Sequence, residues 1–216
     1  MLFSNIIKAR RAALQTQFDV GKEFETIEES CVPSYVHRNV FAAWTAWSRL
    51  NVAAKLYAAH APSGPILDFG SATGELRQVL EARGDYHFVE ENPVLAEALK
   101  RNIPAATQTE LGKLGEGKYA AVFALDSLEH NEEIGPILAE FAKALRPDGV
   151  FILSGPTENA LYRLGRKLAG FDGHYHVQTI YDIERQTEGD FTRLARTLAP
   201  AGLPLFAISA WKARTR

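Results

Sequence analysis

Three acids stand where apolar runs end: Asp68 after Pro65-Ile66-Leu67, Glu90 after Tyr86-His87-Phe88-Val89, and Asp126 after the run Ala120 to Leu125. The first is followed by Phe69-Gly70-Ser71-Ala72-Thr73-Gly74 and then by a helix-like pattern at Leu76, Val79 and Leu80. A strand that turns through small residues into a helix holds a nucleotide, with backbone N–H groups facing the ligand. Gly70 lets the chain reverse, Ser71 and Ala72 are small enough for a ligand to lie against the backbone, and Gly74 permits close packing where the helix starts. The spacing Asp-x-Gly-x-Ala-x-Gly differs from the dinucleotide pattern G-x-G-x-x-G. Glu90 lies twenty residues beyond Gly70, the separation expected of a ribose-binding carboxylate in a βαβ unit. Such a group accepts hydrogen bonds from two vicinal hydroxyls without needing a proton. Glu91 beside it suits the first turn of the next helix, Pro93 to Lys100, as a macrodipole partner.

Histidines supply the candidate acid–base chemistry. His130 follows the strand carrying Asp126 and titrates in the right range for a base near neutrality, though a helix-start histidine bonded to backbone fits the same position. His174 and His176 share the glycine-flanked loop Gly170 to His176 and are its rivals. With no cluster of acids or cysteines beside them, the pair predicts substrate contact and no metal site.

The elements that must position these residues follow from periodicity. Residues 1–60 hold no strand pattern; a basic amphipathic helix spans Ile6 to Leu14 and a longer aromatic one Val40 to Ala59. Strands at 65–68, 86–89, 120–125 and 150–154, with a weak one near 105–107, alternate with helices at 76–80, 93–100 and 134–145. Continuous apolarity at 120–125 is that of a strand buried on both faces of a parallel sheet. A basic helix over 161–168 follows, then a last helix from Asp190 to Pro200 with Phe191, Leu194, Ala195 and Leu198 on one face, and a closing strand from Leu203 to Trp211. The segment 156–187, inserted beyond a strand's carboxyl end, is the natural substrate lid.

The loop Asp68 to Gly74 resembles the first motif of the class I S-adenosylmethionine (SAM) dependent methyltransferases, with Ala72 in place of the middle glycine. Glu90-Glu91-Asn92-Pro93 is similar to the second motif, and Leu128-Glu129-His130 with the turn Leu145 to Val150 to the segments around the fourth and fifth strands. Pro33 to Asn39 looks like the segment ahead of the core in the quinone-biosynthesis O-methyltransferases, whose arginine reaches the cofactor carboxylate. Arg38 is the matching residue, and a surface arginine at a helix entry is the competing reading. The family's acid and alanine after the third strand are missing, so Leu111 or backbone groups stand in for the adenine contact.

The resemblance implies an α/β fold: a doubly wound, mostly parallel, seven-stranded Rossmann-like sheet, or six strands if one of the closing antiparallel pair is missing. An N-terminal helical cap at 1–60 would precede a SAM-binding domain at 61–216. It implies methyl transfer from SAM, leaving S-adenosylhomocysteine, to a small-molecule or lipid-linked acceptor at O, N or C. A non-catalytic SAM-binding module, or a peripheral membrane protein that keeps the fold, are the alternatives.

Composition narrows the partners. A net charge of −2 and a pI near 6.3 supply no basic field for nucleic acid. The single Cys31 excludes an intrachain disulfide, and no run of eighteen apolar residues is present, so a cytoplasmic protein is expected. Tryptophans and basic residues along 40–60 suit either a core-packing helix or peripheral membrane contact. Nothing in the sequence sets an oligomeric state.

Overall fold

A computed structural model describes residues 5–18, 27, 30–81, 84–162, 177–201 and 203–214. Seven helices stand out: α1 Asn5–Gln17, α2 Val32–Val36, α3 Val40–His60, α4 Glu75–Val79, α5 Pro93–Asn102, α6 Gly135–Ala144 and α7 Ile180–Thr187. The strands are β1 Ile66–Phe69, β2 Tyr86–Val89, β3 Thr107–Gln108, β4 Tyr119–Leu125, β5 Leu145–Pro156, β6 Phe191–Ala199 and β7 Phe206–Ala213. They form one seven-stranded sheet in the order β3-β2-β1-β4-β5-β7-β6. The first five are parallel, and β7 runs antiparallel between β5 and β6. This is the doubly wound α/β architecture.

Local signals explain where the helices begin. The Asn39 side chain accepts from the Phe41 and Ala42 N–H groups to start α3, and Asn92 does the same for Val94 and Leu95 at α5, where Pro93 occupies the first turn. Packing then sorts the helices into layers. On one face of the sheet, Trp47, Leu50 and Ala53 of α3, with Leu76 and Leu99, pack against Ile66, Phe88, Phe123, Ile152 and Ile208. On the other, Leu138 and Phe141 of α6 and Ile183 of α7 cover Leu67, Val122, Phe151 and Trp211. Every residue of β4 is buried, as its unbroken apolarity requires. Trp47 is fully buried in this core, whereas Val40 and Phe41 at the start of α3 are exposed.

One element differs from expectation. The stretch expected to be a helix from Asp190 to Pro200 is strand β6, paired over its length with β7. The apolar stripe that suggested a helix is not a buried stripe: Leu194 and Leu198 are exposed, and burial falls at the two ends, Phe191 and Ala199. Pairing with β7 overrides helical spacing here, and the β-branched Thr192 and Thr197 suit a pleated edge. The sheet therefore has its full seven strands. The helix expected at 161–168 and the loop with His174 and His176 lie largely or wholly outside the described residues.

Candidate active site

The carboxyl ends of β1, β2 and β4 open onto a cleft of about 600 Å³. Asp68, Gly70, Ser71, Ala72, Glu90, Glu91, Asp126 and His130 all line it, facing Cys31, Tyr35 and Leu50 of the N-terminal helical segment. Sequence reasoning placed these eight together, and the fold brings them to one cavity. Gly74 stands just behind, at the start of α4.

The loop after β1 is fixed by glycines at two points. Gly70 has φ +68°, and a Cβ there would lie 2.4 Å from that of Ser127. Gly74 has φ +84°, and a Cβ would lie 2.6 Å from Ile103 Cδ1. Close approach of β4's end to the loop, and of α5 to the start of α4, both depend on the missing side chain. Ala72 takes φ +47° despite its Cβ, a strain of about 1 kcal/mol.

Glu90 ties this loop to β2. Its Oε2 accepts from the Ala72 N–H at 2.7 Å and its Oε1 from the Asn92 N–H at 3.0 Å. A carboxylate offers about four lone-pair sites, so each oxygen keeps one for a ligand. Burial pushes the Glu90 acid up, and these amides pull it back. Asp68 is more deeply placed and accepts from the Tyr86 hydroxyl. Burial raises it to about 7; the Tyr86 hydrogen bond opposes the shift, and the charges of Glu90 and Glu75 reinforce it. Glu75, also on the cleft, is held by Arg10 of α1 at 2.7 Å and by the Thr73 hydroxyl.

Asp126 has a partner the sequence did not reveal. Arg49, buried on α3, donates to its Oδ2, and Ser154 donates to its Oδ1 at 2.7 Å. The same guanidinium donates to the Tyr35 hydroxyl at 2.8 Å. Arg38, by contrast, is exposed and absent from the lining. It flanks Asn39, the residue that caps α3. Leu111 packs against the far core instead of the cleft. Of the buried polar side-chain atoms without hydrogen-bond partners among the described residues, those of Arg49, Ser71, Ser127 and Glu129 gather around the ends of β1 and β4. Orphaned polar atoms beside a cleft are what a polar ligand would satisfy. No group of three metal-binding side chains exists among the described residues, and no described helix is long and apolar enough to cross a membrane.

Solved structures share this architecture at low identity. A Pyrococcus horikoshii protein superposes with a TM-score of 0.67 at 14% identity, over 88% of this chain and 99% of that one. Magnesium protoporphyrin IX methyltransferase from Synechocystis, solved with S-adenosylhomocysteine, gives 0.62 at 18%, over 89% and 95%. The 1,6-didemethyltoxoflavin-N1-methyltransferase of Burkholderia thailandensis, solved with its substrate and S-adenosylhomocysteine, gives 0.59 at 19%, over 90% of each chain. No curated protein sequence matches the chain. The model of a methyltransferase domain matches residues 37–190, from just ahead of α3 to the start of β6 and so through every strand end that lines the cleft. By that span, the chain belongs to the methyltransferase domain family.

Proposed function

We propose that the chain transfers a methyl group from S-adenosylmethionine to a small-molecule acceptor, leaving S-adenosylhomocysteine. The observation that carries this is the Glu90 carboxylate closing on the Ala72 amide across the glycine loop, at the mouth of a nucleoside-sized cleft. Glu90 retains acceptor capacity for the two ribose hydroxyls, and the Gly70 to Gly74 backbone lies where a methionine moiety would pass. Ser71 offers its unpartnered hydroxyl there. Bound SAM supplies a methyl group on an already activated sulfonium. The chain's own task is then alignment and exclusion of water. Within the segment 156–187 the lid role falls to the part ahead of α7, because α7 itself packs on the sheet, and residues 1–60 serve as the cap, with Tyr35 and Leu50 lining the cleft. His130 is the cleft-lining histidine placed to take a proton when the acceptor carries one. His174 and His176, which lie outside the described residues, are assigned to substrate contact from the sequence.

A lipid-linked acceptor is the second reading, favoured by the exposed pair Val40 and Phe41 at the start of α3. Liposome flotation lost on Phe41→Ser would support it. For the main reading, isothermal titration with S-adenosylhomocysteine is expected to show one site per chain, and absence of heat would overturn it. Homocysteine release in an acceptor screen then separates catalysis from cofactor binding alone. Location in the cytoplasm accords with this reading and is tested by fractionation.

A further inference from the structure

The N-terminal helix reaches the glycine loop through a single side chain. Ile7 and Leu14 bury one stripe of α1 in the core that also holds Ile66 and Leu76. Arg11 and Gln15 tie α1 to the end of α2, Arg11 donating to the Tyr35 and His37 carbonyls at 3.1 and 2.9 Å and Gln15 to that of Val36 at 3.2 Å. Arg10 crosses instead to the loop after β1. Its Nε and Nη2 donate to Glu75 Oε1 at 2.8 and 2.7 Å, and Nη2 donates more weakly to the Thr73 carbonyl at 3.5 Å. Glu75 Oε2 accepts from the Thr73 hydroxyl, and Asn102 at the end of α5 donates to the Thr73 carbonyl at 3.1 Å.

Thr73 and Glu75 flank Gly74, so one guanidinium holds the chain on both sides of the glycine that ends the loop. That loop does not hold its own shape. Gly70 and Gly74 offer little torsional resistance, and Ala72 at φ +47° keeps a strained conformation only where its surroundings over-determine it. The Arg10 and Glu75 side chains are 11% and 1% exposed. Desolvation offsets much of the attraction in such a pair, so its net contribution to folding is small compared with an apolar replacement. What it imposes is geometry, because charge-assisted hydrogen bonds from two donors to one oxygen fix distance and direction. Glu75 also lines the cleft, which brings that geometry to the ligand. The family match starts at residue 37 and does not extend to Arg10.

We propose that Arg10 is a positioning residue of the cofactor site: through Glu75 and Thr73 it sets the backbone around Gly74, so that the loop has the shape that receives S-adenosylmethionine only with α1 docked. This rests on the methyltransferase reading above and makes a residue of the N-terminal cap part of its site. Arg10 touches neither the cofactor nor the reacting atoms. Its effect passes through the loop alone.

The test reads the loop and the ligand separately in the full chain. In the ligand-free protein, Arg10→Met is expected to speed amide exchange at Ala72 and Gly74, which donate to Glu90 and to the Ser71 carbonyl, about tenfold more than at Val122 and Phe123 of β4. A role in stability alone would speed both sets by one factor. By calorimetry, S-adenosylhomocysteine should bind about tenfold more weakly to Arg10→Met. Adding Glu75→Gln should weaken it further by less than about twofold, because both substitutions act through one contact. The double variant leaves no unpaired buried charge, so it carries the test if Arg10→Met alone fails to fold. Ile183→Ala, which empties a buried site on the opposite face of the sheet, should leave the affinity within about twofold. Unchanged affinity in the Arg10 variants, equal acceleration of exchange in the loop and in β4, a further loss beyond twofold on adding Glu75→Gln, or a matching loss in Ile183→Ala would overturn the proposal. Absence of S-adenosylhomocysteine binding to the wild type, measured first, would instead overturn the cofactor reading and this proposal with it.

Discussion

At the β1–β2 edge two acids find partners close at hand: Glu90 takes the amides of Ala72 and Asn92, and Asp68 takes the hydroxyl of Tyr86 on the neighbouring strand. At the β4–β5 edge Asp126 takes the Ser154 hydroxyl of the neighbouring strand together with Arg49, 77 positions before it, and the buried carboxyl oxygens of Glu129 have no hydrogen-bond partner. The first edge is a rigid cradle made largely of backbone, suited to a ligand whose chemistry is fixed. The second joins side chains from separate elements and leaves polar capacity open, suited to a ligand that differs between relatives of one fold.

The largest effect should come from breaking the long-range partnership. Arg49 and Asp126 have side chains only 3% and 9% exposed, so Arg49→Met leaves a carboxylate without its cation. Urea denaturation is expected to show a loss of about 3–5 kcal/mol, with much of it recovered in Arg49→Met/Asp126→Asn. A loss below about 1 kcal/mol would mean that water already reaches Asp126, and the contrast between the edges would weaken.

At the other edge the effect should fall on binding more than on folding. Glu90→Ala removes the acceptor for the Ala72 amide and, on the proposed function, for the ribose hydroxyls, and is expected to weaken S-adenosylhomocysteine about 10- to 100-fold by calorimetry. An unchanged affinity would place the nucleoside elsewhere.

The same division decides what could be read from the sequence. Asp68 to Gly74 and Glu90 were legible because a strand, a tight turn and a fixed spacing to the next strand end are all local features. Arg49 was not, because it sits in an aromatic helix pattern that says which face is apolar but not that a guanidinium crosses to β4. Arg38 drew attention by its neighbours, yet it stands exposed beside the residue that caps α3. β6 was missed for a related reason. Its Leu194 and Leu198 spacing is helical, and only pairing with β7, which residues far away enforce, decides for a strand.

Acid titration acts alike at the two edges, and substitution tells their contributions apart. Asp68 is raised in the folded chain to about 7 from an ordinary 3.8, so the folded state keeps a proton that the unfolded chain releases. Its contribution to stability is full below about pH 4 and is lost as pH rises towards about 7, with a slope of up to about 1.4 kcal/mol per pH unit. Glu129 acts in the same direction. Asp68→Asn, which can still accept from Tyr86, should flatten the slope of urea-derived stability by one proton's worth between pH 5 and pH 7. A slope unchanged by the substitution would leave Glu129 as its source.

The finest discrimination lies between adjacent residues. Glu90 and Glu91 both line the cleft, but Glu91 is exposed and its side chain has no bond to the loop, acting on Glu90 through its charge while its backbone N–H also favours the Glu90 carboxylate. Charge at a solvent-exposed position is screened, so Glu91→Ala should change S-adenosylhomocysteine affinity by less than about twofold, in the direction of a slightly more acidic Glu90. A loss matching that of Glu90→Ala would shift the ribose contact by one residue. The cradle would then hold its ligand with a mobile side chain, and the distinction drawn between a backbone-built edge and a side-chain-built edge would disappear.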